Sequence, residues 1–136
     1  MPNEIGFEVR LNLPYSEAVE RVITALKDEG FGVLTRIDVR ATLKEKLGED
    51  FRPYLILGAC NPPLAHRALS EDAVVGLMLP CNITVEADEK GGSITRIANP
   101  ELMMTIGGLQ ENPHLVEVAR TAREKLERVA ESLLEN

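Results

Sequence analysis

The chain has no tryptophan, and only three phenylalanines and two tyrosines among its 136 residues. An aromatic content of 4% rules out a core of stacked rings, so packing falls to Leu, Ile, Val and Ala within a hydrophobic share of 44%. Basic residues are also short, 15 Lys and Arg against 22 Asp and Glu, for a net charge of −7. Nucleic acids and anionic membrane surfaces both demand concentrated Lys and Arg, so neither is expected as a partner. The basic residues that do gather, Arg36, Arg40, Lys44 and Lys46, are interleaved with Asp38, Glu45, Glu49 and Asp50 and read as a solvated mixed face. No apolar run approaches the roughly 18 residues that cross a bilayer. The opening Met1-Pro2-Asn3-Glu4-Ile5 has neither the basic nor the apolar region of an export signal. Two cysteines in such a chain point to free thiols in a reducing cytoplasm, with a disulfide between positions 60 and 81 left open.

Chemistry-bearing motifs are equally sparse. His66 and His114 are the only imidazoles, and no CxxC or HxxxH spacing accompanies them, so no metal centre is expected. His66, half-way along a short helix, reads as a surface residue. Neither a dinucleotide fingerprint, a phosphate loop nor a serine-nucleophile elbow occurs, so no cofactor is implied. Asp38 is the one carboxylate to watch: it ends a strand four residues before Thr42, where it can cap a helix or bind a ligand.

What is present is periodicity. A chain of this length forms one domain, residues 1–136, with enough core to fold unaided. Ile5, Phe7, Val9, Leu11 and Leu13 alternate with polar residues as a half-buried strand that Pro14 ends. Ser16 then caps a helix whose apolar positions are Val19, Val22, Ile23 and Leu26, stopped by Gly30. Phe31 to Val39 alternates as a second strand, and a short helix carrying Leu43 and Leu47 ends at Gly48. Tyr54 to Cys60, apolar on both faces, reads as a central strand. Leu77, Leu79, Cys81, Ile83, Val85 and Ala87 share one face of a fourth strand. Gly91-Gly92 turns the chain into a fifth, Ser93 to Ala98, and Asn99-Pro100 opens a brief helical turn. Gly107-Gly108 makes a flexible joint. Asn112 and Pro113 start a long helix whose stripe of Leu115, Ala119, Ala122, Leu126, Val129 and Leu133 is expected to dock on the strand face of Ile5, Phe7, Val9 and Leu11. The class is α+β, a largely antiparallel sheet with helices on one face.

The only two cysteines each stand beside an asparagine and near proline: Cys60-Asn61-Pro62-Pro63, and Leu79-Pro80-Cys81-Asn82. Cys60 lies where a strand turns into a helix, where the dipole favours thiolate. Pro62 and Pro63 lack the N–H groups that would cradle an anion there, so the site reads first as a structural turn around a buried small side chain, with a partly activated sulfur. Asn61 caps the helix through the Leu64 amide. Cys81 shares a strand face with Leu79 and Ile83, and Pro80 marks a break that can re-aim its sulfur. If they form one site, the two cysteines approach each other across neighbouring strands.

These runs, with Ile37-Asp38-Val39 and Tyr54-Leu55-Ile56-Leu57-Gly58-Ala59 ahead of the first cysteine motif, resemble the family called domain of unknown function 302. The resemblance covers about Glu4 to Met104. It implies a β-α-β4-α layout like that of the TATA-binding protein, with a sheet against a long C-terminal helix, and a homodimer. It implies no established activity. The family's signature falls on Asp38, Cys60, Asn61, Pro62, Pro80 and Cys81. The resulting expectation is a small-ligand-binding module whose site uses Asp38, Cys60, Asn61, Pro62, Cys81 and Asn82. The alternative is a thiol-dependent enzyme or redox protein with Cys60 as nucleophile and Cys81 as resolving partner.

Overall fold

Five antiparallel strands form one sheet in the order β1-β5-β4-β3-β2, described over residues 5–134 of a computed structural model. The elements follow in sequence as β1 (Gly6–Leu11), α1 (Tyr15–Asp28), β2 (Gly32–Asp38), α2 (Val39–Leu47), β3 (Tyr54–Cys60), α3 (Pro62–Glu71), β4 (Cys81–Ala87), β5 (Ser93–Ala98), α4 (Pro100–Met103) and α5 (Pro113–Leu134). Two 3-10 turns, Ala73–Met78 and Ile106–Glu111, complete it. The α+β class and the long C-terminal helix packed on the sheet are therefore as the alternating strands and the final stripe require.

Strand alternation sorts the sheet into two faces. Phe7, Val9, Leu11, Leu55, Leu57, Ala59, Ile83, Val85 and Ile97 are buried beneath α1 and α5. The opposite face is charged and tied together by ion pairs. Arg52 and Arg96 each donate to Glu86 at 2.9 Å, and Arg96 also reaches Glu8 at 2.9 Å. Burial alone would raise the Glu86 carboxyl, but the two guanidinium hydrogen bonds outweigh it and hold it below its ordinary value. Arg52 lies over the Phe51 ring at 4.6 Å, so three of these side chains are pinned in one place.

Several sequence expectations shift. The first strand is shorter than its alternation, and Ile5 is 69% exposed, outside the buried face. Pro14, not Ser16, occupies the cap position of α1, with no side-chain cap. Proline's ring fixes φ for entry into the helix, but it accepts no hydrogen bond from the first-turn amides as a hydroxyl would. Leu77 and Leu79 are not on β4: Leu77 sits in a 3-10 turn, 83% exposed, and the strand begins only at Cys81. The period-2 pattern there is accidental, because Asp72 caps the Val74 amide and starts a helical turn instead. The second strand stops at Asp38 and Val39 opens α2. At the presumed joint, Gly107 and Gly108 form a defined turn with φ of 65° and 79°, a conformation that favours glycine.

The largest adjustment concerns α5. Leu126, Val129 and Leu133 in its second half do join the sheet core. Leu115, Val118, Ala119 and Ala122 in its first half belong to a second hydrophobic cluster with Leu64 and Ala68 of α3, Val75, Met104 and Leu109. A single helical stripe thus serves two cores laid end to end.

Candidate functional site

Between these two clusters lies a cavity of about 550 Å³. It sits where β3 and β5 end and β1 and β4 begin. Phe7, Phe31 and Ile97 wall it from the sheet core, and Leu64, Met104 and Val118 from the second cluster. It also wraps around the strand ends to Thr84 and Arg96 on the charged face. A volume in this range holds a small organic molecule.

Both cysteines line it. β3 and β4 are neighbours, and Cys81 pairs opposite Ala59, one residue from Cys60. Simple alternation aims the two side chains toward opposite faces. They meet one cavity because it curls around the place where both strands stop. The proximity is felt electrostatically: burial first, and then Cys60, push the Cys81 thiol up to about 11. The thiolate is the reactive species. Cys81 is therefore expected to alkylate far more slowly than an unhindered thiol at neutral pH, its rate still climbing as pH approaches 11. Iodoacetamide labelling against pH, read by mass spectrometry on a Cys60→Ser background, checks this.

Asn61 also lines the cavity, but its amide is already employed. Its Oδ1 accepts from the Leu64 amide at 3.3 Å, capping α3, while Nδ2 donates to the Glu29 carbonyl at 3.4 Å. It thereby ties the start of α3 to the end of α1, next to Gly30, whose φ is 84°. Asn61→Ala is expected to cost about 0.5–2 kcal/mol, the worth of an N-cap. Urea unfolding measures it, and an unchanged midpoint would mean that the cap is idle. Asn82, at the exposed start of β4, is the asparagine that faces the cavity with its amide open to solvent.

Asp38 and Pro62 do not line the cavity. Pro62 is exposed in the first turn of α3. Asp38 pairs opposite Leu55, at the far end of β3 from Cys60, and caps α2 by accepting from the Ala41 amide at 2.9 Å. Of the two roles open to it in sequence, the structure displays the cap. Its charge also reaches Tyr15, whose phenol is pushed up by burial first and by Asp38 second. The cavity has other walls that sequence reading missed: Met78, Met103 and Met104, Thr84 and Arg96. The adjacent methionines after Asn99-Pro100 were the available signal.

Gly58 shapes the rim. Its place on β3 brings Thr35 and the Pro80 ring onto the bare backbone; a Cβ there would lie 2.8 Å from Pro80 Cγ and overlap Thr35 Oγ1. Pro80 follows a cis peptide bond and leads directly into Cys81. The glycine thus packs on the proline ring that precedes the second cysteine.

The family model "Domain of unknown function DUF302" matches residues 7–133, almost the whole chain. The chain belongs to the DUF302 family. A crystal structure of an uncharacterized conserved DUF302 protein from Bacillus stearothermophilus is similar to it, with 33% identity over 94% of this chain and 97% of that one, and a TM-score of 0.82. A search of curated proteins finds no match. The DUF302 match extends past Met104, so the long helix α5 is part of the family's fold and not an appendage to it.

Proposed function

We propose that this DUF302 chain is a cytoplasmic, homodimeric small-ligand-binding module, its ligand seated in the cavity at the ends of β3 and β4. The observation that carries the reading is that cavity: about 550 Å³, with Cys60, Cys81 and Asn82 on its walls. Cys81 itself is poorly suited to act as a resolving thiol, because a thiol pushed up to about 11 is a poor nucleophile at neutral pH. In this reading the sulfurs give soft contact and Asn82 gives polar direction. Both cysteines are unpaired, as a reducing cytoplasm would keep them. Among the described residues no helix is long and apolar enough to cross a membrane.

The homodimer has its own support. β2 is an edge strand with Leu34 67% and Ile37 49% exposed, and α2 beside it has no buried residue. An unpaired edge beside unpartnered apolar side chains is a template for a second copy of the same strand. Sedimentation of wild type against Leu34→Glu tests it: a dimer that becomes a monomer is the expected result, and a wild-type monomer ends the dimer reading.

The ligand reading is tested by screening chemically diverse small molecules by thermal shift and mapping the hits by amide chemical shifts. Hits should perturb Cys60, Cys81 and Asn82, and should be lost in Ala65→Phe, which fills the cavity from α3. Hits that map elsewhere, or that survive in Ala65→Phe, overturn it.

A further inference from the structure

We propose that the ligand of this cavity is an uncharged, largely apolar organic molecule. The proposal rests on the ligand-binding reading above and gives that ligand a chemical class.

Charge decides the class. Among the described residues no Asp, Glu, Lys or His lines the cavity, and the one charged residue on its wall is Arg96. That guanidinium is already engaged, donating to Glu8 and to the buried Glu86. A phosphate or carboxylate entering the cavity would shed its water and find no free cation, inside a protein of net charge −7. A cationic ligand would find no carboxylate among the described residues of the wall. Among the described residues no three His, Cys, Asp or Glu side chains gather to hold a metal ion.

The walls describe the body of the ligand. Met78, Met103 and Met104 all line the cavity, with both cysteines. Methionine is unbranched and polarizable, so its thioether moulds to irregular apolar shapes and makes favourable contacts with unsaturated rings. At the rim, Leu77 is 83% and Ile5 69% exposed. Singly such residues need no explanation, but two of them bordering an apolar cavity offer surface that a bound apolar molecule covers.

Two probes of similar size and opposite character test this on the full chain: Nile red, neutral with one carbonyl, and anilinonaphthalene sulfonate, an anion. Nile red is expected to bind one per chain with enhanced emission, and the sulfonate at least about tenfold more weakly. Ala65→Phe, and separately Asn82→Trp at the exposed rim, should abolish Nile red binding; the second keeps the test valid if the first fails to fold. A sulfonate that binds as tightly as Nile red and is blocked by the same variants overturns the chemical class while the ligand-binding reading stands. Binding of both probes that ignores both blocking variants overturns both.

Discussion

Leu126→Ala is expected to lower the unfolding free energy by about 2–5 kcal/mol. Leu126 is fully buried in the sheet core, among the side chains beneath α1 and α5. Removing its isobutyl group forfeits the transfer energy of those atoms and leaves a void that close-packed neighbours refill only in part. Domains of this size are stable by about 5–15 kcal/mol, so the loss is a large fraction of the whole. Leu77→Ala is the control. That side chain is mostly exposed, and its truncation should stay within about 0.5 kcal/mol. Guanidinium unfolding followed by circular dichroism gives both numbers. Equal effects at the two positions would mean that α5 does not pack on the sheet as described.

Gly58→Ala is expected to be the second large effect, and the one that reaches from fold to site. The added methyl meets Thr35 and Pro80. Thr35 is exposed and can rotate its hydroxyl away, but the Pro80 ring moves only if the backbone moves. Overpacking of this kind costs about 1–3 kcal/mol. Because Pro80 leads into Cys81, the displacement should also open the second cysteine to solvent. Faster alkylation of Cys81 in Gly58→Ala than in wild type is the decisive measurement, and an unchanged rate would separate the glycine contact from the site.

The legible part of the fold was the part governed by local rules. The alternation of Phe7, Val9 and Leu11, the cap at Asn61, the glycine after Leu47 and the stripe of α5 each express a backbone preference that needs no distant partner. The misreadings share one cause. Leu77 and Leu79 alternate with their neighbours as a strand would, and only the cap from Asp72 and the burial of Val75 among helices turn that segment into a 3-10 turn. Ile5 continues a perfect period past the point where the sheet stops covering it. The site divided in the same way. Cys60 and Cys81 announced themselves by rarity and by their prolines, and the strand order β4-β3 brought them together. Asp38 was singled out for its place at a strand end, but it sits at the wrong end of the sheet to meet them. Thr84, Arg96 and Met78 carry no local signature, and the adjacent Met103 and Met104 carry only their own adjacency, because what unites them is a void that exists only after α5 has crossed both clusters.

That crossing has a dynamic consequence. The sheet core and the smaller helical cluster are joined by α5, while the space between them is largely unfilled. Regions with few shared apolar contacts open as separate cooperative units, at free energies below that of global unfolding. The first half of α5, with α3 and the 3-10 turn at Ala73–Met78, is such a unit, and its amides should exchange with solvent before those flanking Leu126. A molecule lodged in the seam touches both units at once. Its signature would be less a higher melting point than a merging of two exchange regimes into one, so that the chain acquires a single cooperative breathing motion only when it is occupied.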